Sequence, residues 1–223
     1  MVLMNFDTSK GLDKKGAHDI CAELDYNDDD GTRPYKFGRP RRIDEMEYYK
    51  SDEGGPRKDV NVLVRDGRFK QLSLDENSFE LVKQKTSLST EDFYNEDKIT
   101  GIYYKEIAET IKKTTGASAV QIFHHQVRNP EKNNGGDLNV NTSIQGYAGR
   151  IHLDTHPLGC QETFKYFVNM LGRKDLQKGR FVVLNAWRNI SDTPIGKDHL
   201  AVLDETSVVK PDDYITGDFF GEV

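Results

Sequence analysis

The sequence predicts an α+β fold that is mainly β: a sheet-based sandwich or barrel with helices packed outside it. Three observations carry this expectation. Runs of strand formers occur at 60–64, 119–127 and 180–188, helix-period segments lie at 97–115 and 163–171, and the order of these elements lacks strict βαβ alternation. With 223 residues and 35% hydrophobic content the chain can bury one core of good size. One domain is therefore expected, with residues 1–58 forming an irregular extension that wraps a domain of 59–223.

The N-terminal 58 residues are polar and punctuated by Gly31, Pro40, Gly54, Gly55 and Pro56, which favours irregular structure, with 21–26 as a short strand inside it. Residues 60–64, the Asp66-Gly67 pair and 69–74 read as a hairpin, because Asp-Gly between β-rich runs is a strong hairpin signal. Residues 73–82 open as a capped short helix or a loop carrying apolar side chains. From Asp97 the spacing of Ile102, Ile107, Ala108 and Ile111 is helical, Lys112 and Lys113 suit the negative end of the helix dipole, and Gly116 supplies the stop. Residues 119–127 should then be a strand and 129–137 a loop. The chain returns as a strand through 146–154, a helix over 163–171 ends at Gly172, and 180–188 reads as a mostly buried strand.

Composition narrows the function. There are 37 acidic against 31 basic residues, a net charge of −6, and no basic stretch of the kind that draws phosphate backbones, so nucleic acid is not an expected partner. Cys21 and Cys160 lack CxxC spacing and no secretory leader precedes them, which suits a reducing, cytoplasmic setting. No stretch approaches the ~18 apolar residues of a membrane span. Neither a GxSxG elbow, a phosphate-binding P-loop nor a dinucleotide fingerprint occurs, which removes the hydrolase and nucleotide-dependent classes.

The richest chemistry lies at 150–156. His152 and Asp154 are two apart, so on an extended backbone both side chains project to one side and can share a cation. An imidazole and a carboxylate are two of the three ligands of the facial triad that holds non-haem Fe(II). The competing account is a hydrogen-bonded surface pair. His156 is the nearest candidate for the third ligand, though Pro157 bends the chain beside it, and His199 is a more distant one. His124 and His125 are adjacent on an expected strand, so only one can face inward. Arg128 either pairs with a neighbouring loop or reaches a ligand carboxylate, while Asn185, Trp187 and Arg188 either belong to the core or wall a small-molecule pocket.

Tyr48, Tyr49, the stretch 60–65, Ser73, Asp75, Phe79, Phe93, Tyr94, Tyr103, Tyr104, Glu106, 115–117, 123–128, His152, Asp154, 185–188 and 200–204 follow the order of one family. The chain resembles the oxygenase-like group of fungal gibberellin desaturases, an aspirochlorine-type hydroxylase/desaturase and a bacterial cephalosporin methoxylation protein. That resemblance implies a double-stranded β-helix, the jelly-roll or cupin-like core, with flanking helices. It also implies oxidoreductase activity, with Fe(II) and 2-oxoglutarate as cofactors, hydroxylating or desaturating a small-molecule secondary metabolite. His152 and Asp154 fall on its first two iron ligands. Members continue past the position of Gly221 into a segment with a Trp-Tyr-Phe element, the distal histidine and the arginine for 2-oxoglutarate. The resemblance thus predicts a fold incomplete at its C-terminal end, and as the alternative a catalytically inactive, small-molecule-binding or scaffold remnant.

Overall fold

The computed structural model describes residues 2–5, 19–28, 31, 35–37, 56–132, 144–149, 151–154, 157–196, 198–209, 213–214 and 218–220. Over these the chain mixes helix and strand. In order, the elements are β1 (Val2–Asn5), β2 (Ile20–Asn27), β3 (Tyr35–Phe37), β4 (Arg57–Val64), α1 (Leu74–Asn77), β5 (Phe79–Val82), α2 (Glu96–Lys98), α3 (Tyr104–Thr115), β6 (Val127–Arg128), β7 (Ile144–Gln145), α4 (Pro157–Met170), β8 (Asn185–Arg188) and β9 (Asp218–Phe220). The described strands form a three-stranded sheet in the order β5-β1-β8 and the pairs β2-β4, β3-β9 and β6-β7. Only β2-β4 is antiparallel; β1 runs parallel to both of its neighbours. No helix of the described residues is long and apolar enough to cross a membrane.

The expected strand at 21–26 is β2, which pairs over its whole length with β4, from Ile20 opposite Val64 to Asn27 opposite Arg57. The Asp25 carboxylate accepts from Arg57 at 3.1 Å at the open end of this ladder. The hairpin expected around Asp66-Gly67 is not formed. Asp66 instead caps a 3-10 turn, Gly67–Phe69, by accepting from the Arg68 N–H, and its buried carboxylate also holds the Arg68 guanidinium. Because β4 has β2 as its partner and the Asp66 side chain satisfies the following backbone locally, residues 69–74 are left to run on into α1.

At 73–82 local chemistry decides the structure. Ser73 Oγ accepts from the Glu76 N–H while Asn77 Oδ1 accepts from the Ser73 N–H, a reciprocal cap that closes one helical turn before β5. The helix expected from 97 is present but is not regular. Asn95 caps α2, residues Ile99–Tyr103 form a π turn, and α3 follows to Gly116, whose φ of +70° places it in the left-handed region that ends a helix. Ile107 and Ile111 lie one turn apart on α3 and face a cluster of Leu74, Val82, Ile122 and Leu184. A second cluster joins Leu88, Phe93, Ile99 and Val127, with Tyr94, Tyr103 and Ile190 packed against it. Fully burying a side chain such as Phe93 or Ile99 is worth about 1.5–3 kcal/mol, so these clusters fix the 74–127 region.

Three expected strands are corrected. Residues 119–126 carry the right residue types, but among the described residues they have no ladder partner, and strand is confined to β6. Their side chains are used for packing instead: Ile122 joins the α3 cluster and the Phe123 ring lies 4.9 Å from that of Phe167 on α4. The described residues of 146–154 are not a strand either; one backbone bond, from Ile151 N–H to Asp25 O at 3.2 Å, ties them to β2. The strand expected over 180–188 is reduced to β8. Before it, Phe181 stacks on Phe164 of α4 at 4.2 Å, and α4 itself starts at Pro157 rather than at 163.

Candidate metal centre

The two residues expected to share a cation do face each other. His152 Nε2 and Asp154 Oδ1 are 3.5 Å apart. Residues two apart in sequence meet in this way when the backbone is extended, even where no ladder holds it. Both side chains are open to solvent, at 49% and 63% exposure. Asn185, at the start of β8, donates from Nδ2 to Asp154 Oδ2 at 2.7 Å. Alternation along β8 puts Trp187 on the face of Asn185 and Arg188 on the other.

The contacts of the Asp154 carboxyl set its charge. The hydrogen bond from His152 is the largest influence on the Asp154 carboxyl; the bond from Asn185 and the charges of His152 and Arg128 add to it and outweigh partial desolvation. The carboxyl is held down at about 2. It is therefore ionised throughout the neutral range. Arg128 contributes through its field while Nη1 donates to the Gly146 carbonyl at 2.8 Å.

The remaining expected residues are distributed elsewhere. Arg188 turns toward the helical region, where Nε donates to Tyr103 Oη at 3.1 Å and Nη2 donates to the Gln84 carbonyl at 2.9 Å. Its neighbour there is Glu106, whose carboxylate accepts from Thr86 Oγ1 and Ser87 Oγ at 2.6 Å. His199 is exposed, with Nε2 2.8 Å from the Ile195 carbonyl. His156 lies outside the described residues. Of the adjacent histidines, His125 is the partly buried one: Nδ1 meets Tyr104 Oη at 2.8 Å and Nε2 lies 3.2 Å from Glu96 Oε2, whereas His124 is exposed. That contact was not visible in sequence beyond the expectation that one of the two faces inward.

Donor types and spacing can be set against the needs of a divalent ion. Two ligands each about 2.1 Å from one ion and at right angles lie about 3 Å apart, close to the 3.5 Å observed. The imidazole and carboxylate therefore fit two positions of a facial triad. Among the described residues no three His, Cys, Asp or Glu side chains converge. A cavity of about 380 Å³ is lined by Pro157, Cys160, Gln161 and residues 180–183.

A profile described as Oxidoreductase/YMDC permease-like domain matches residues 24–221, and the chain belongs to that family. Relatives include alpha-ketoglutarate-dependent dioxygenase phiK of a fungal species, 32% identical over 185 residues, which are 75% of this chain and 64% of the relative. Hydroxylase/desaturase efuI of Hormonema carpetanum is 30% identical over 168 residues, 70% of this chain and 54% of the relative. Alpha-ketoglutarate-dependent dioxygenase tstK of Talaromyces stipitatus is 30% identical over 135 residues, 59% of this chain and 47% of the relative. The chain thus spans about half to two thirds of the length of these curated relatives. No solved structure matches it.

Proposed function

We propose that this chain is the iron-holding part of an Fe(II)- and 2-oxoglutarate-dependent oxygenase that hydroxylates or desaturates a small organic molecule, built on the family's double-stranded β-helix core. The observation that carries the proposal is the convergence of His152 Nε2 and an ionised Asp154 carboxylate on one point. Two relatives named as alpha-ketoglutarate-dependent dioxygenases support the cosubstrate, 2-oxoglutarate being the same compound. His152 and Asp154 would hold the metal; His199 does not converge with them, which leaves His156 as the candidate third ligand. Iron held there would allow dioxygen, the oxidant, with 2-oxoglutarate as the co-reductant that is decarboxylated, to oxidise an unactivated C–H bond.

The protein's own part is electrostatic and geometric. Neutral imidazole and carboxylate carry one net negative charge, which favours a dication without saturating it. Arg128, whose field reaches Asp154, would attract the carboxylates of 2-oxoglutarate toward the same place. Trp187, on the Asn185 face of β8, would form an apolar wall that limits water.

Anaerobic Fe(II) titration tests the reading. The parent chain should bind Fe(II) saturably and develop a weak visible charge-transfer band when 2-oxoglutarate is added, and His152→Ala should weaken binding at least ten-fold. Equal, unsaturable binding by parent and variant, with no band, would falsify it. That result favours the second reading, a binding or scaffold protein of the same fold.

A further inference from the structure

We infer that Asn185 is a positioning residue: its amide fixes the Asp154 carboxylate so that Oδ1, and not Oδ2, is presented beside His152. This rests on the metal-holding role proposed for the pair. A carboxylate joined to its chain by a soft terminal torsion rotates readily, and its two oxygens are interchangeable unless something distinguishes them. Here something does. Oδ2 accepts from Asn185 Nδ2 at 2.7 Å, and Oδ1 is the oxygen 3.5 Å from His152 Nε2. One oxygen is thereby committed to Asn185, and the other faces His152 Nε2, where a cation would take the place of the proton between them.

The identity and placement of the donor both suit this task. An amide satisfies one lone pair without adding positive charge, whereas Lys or Arg at the same distance would repel the dication. Asp154 lies in a bend outside regular structure, but Asn185 opens β8, which is hydrogen-bonded along β1. The other end of β8 is held by Arg188 on the Gln84 carbonyl and Tyr103. A ligand on irregular backbone thus takes its orientation from a strand anchored to the helical core. If the contact were only a surface hydrogen bond between segments 31 residues apart, its loss would be felt in folding and not in the metal.

Cobalt(II) distinguishes these roles, because its visible bands report coordination geometry and need no turnover. Asn185→Ala should bind Co(II) 10–100-fold more weakly than the parent chain, the range usual for losing the partner of a ligating group, with altered visible bands. Its melting temperature without metal should stay within about 2 °C of the parent's, since both side chains are exposed. Asn185→Gln, which keeps the amide, should recover most of the affinity. Parent affinity and parent bands in Asn185→Ala overturn the inference while leaving the metal site standing. So does a weakened Asn185→Ala whose metal-free melting temperature has fallen in proportion. Failure of the parent itself to bind Co(II), or unchanged binding in His152→Ala, overturns the metal site and this inference with it.

Discussion

The stretch 73–116 and the stretch 146–200 differ in what holds them. In the first, Leu74, Phe79, Leu88, Phe93, Ile99 and Ile107 are buried, and Ser73, Asn95 and Gly116 close an end of α1, α2 and α3 respectively. In the second, Val168 is the buried apolar residue among those described, and Leu153, Leu158, Tyr166 and Leu200 are exposed. The first behaves as a foundation and the second as a surface that carries the proposed site. A site on a weakly buried segment has to borrow its rigidity, and the borrowing would run through Arg188 and β8.

Large-to-small substitutions should break this contrast open most visibly. Phe93→Ala, which removes a buried ring packed edge-on against Tyr103 at 5.0 Å, should cost about 3–5 kcal/mol. Leu153→Ala, between the two proposed ligands and 63% exposed, should stay within about 0.5 kcal/mol. Urea unfolding midpoints compare them directly, and similar shifts for both would erase the distinction between the regions. A smaller effect is expected at the cap: Ser73→Ala should lose about 1 kcal/mol, seen in the same experiment, and an unchanged midpoint would mean that α1 is held by packing alone.

The smallest effect depends on pH. Partial burial opposes ionisation of Glu106, but bonds from Ser87 and Thr86, with the charge of Arg188 beyond them, outweigh it and hold the carboxyl below its ordinary 4.5. A carboxyl lowered in the folded state binds more protons when unfolded, so it contributes fully above pH 4.5 and loses that contribution as pH falls through its lower folded value. Glu106→Gln should therefore flatten the acid side of the stability curve. A variant as acid-sensitive as the parent would remove Glu106 from the account.

What could be read from sequence follows the same division. The capped short helix opening at Ser73, the apolar spacing of α3 and the stop at Gly116 are signals between near neighbours, and each is realised. His152 and Asp154 face each other, although the strand that was expected to align them is not formed. Signals that depend on a distant partner were not legible. Asp66-Gly67 has the chemistry of a hairpin, yet β4 pairs with β2 and the Asp66 carboxylate caps a turn. Residues 119–126 have strand composition without a described ladder, and the jelly-roll order of strands is not among the described pairings. The link from Asn185 to Asp154 spans 31 residues and leaves no local pattern.

The place of β1 bears on how the chain is made. Translated before both of its partners, it lies between Phe79–Val82 and Asn185–Arg188, so its ladder waits until residue 188 has left the ribosome. At 5–20 residues per second that wait is roughly 10–40 s. During it, at least one edge of a nascent strand has no native neighbour and can recruit strands from other molecules. Synthesis rate and chaperone supply thus set the yield of a sheet on which β8, and Asn185 with it, depends.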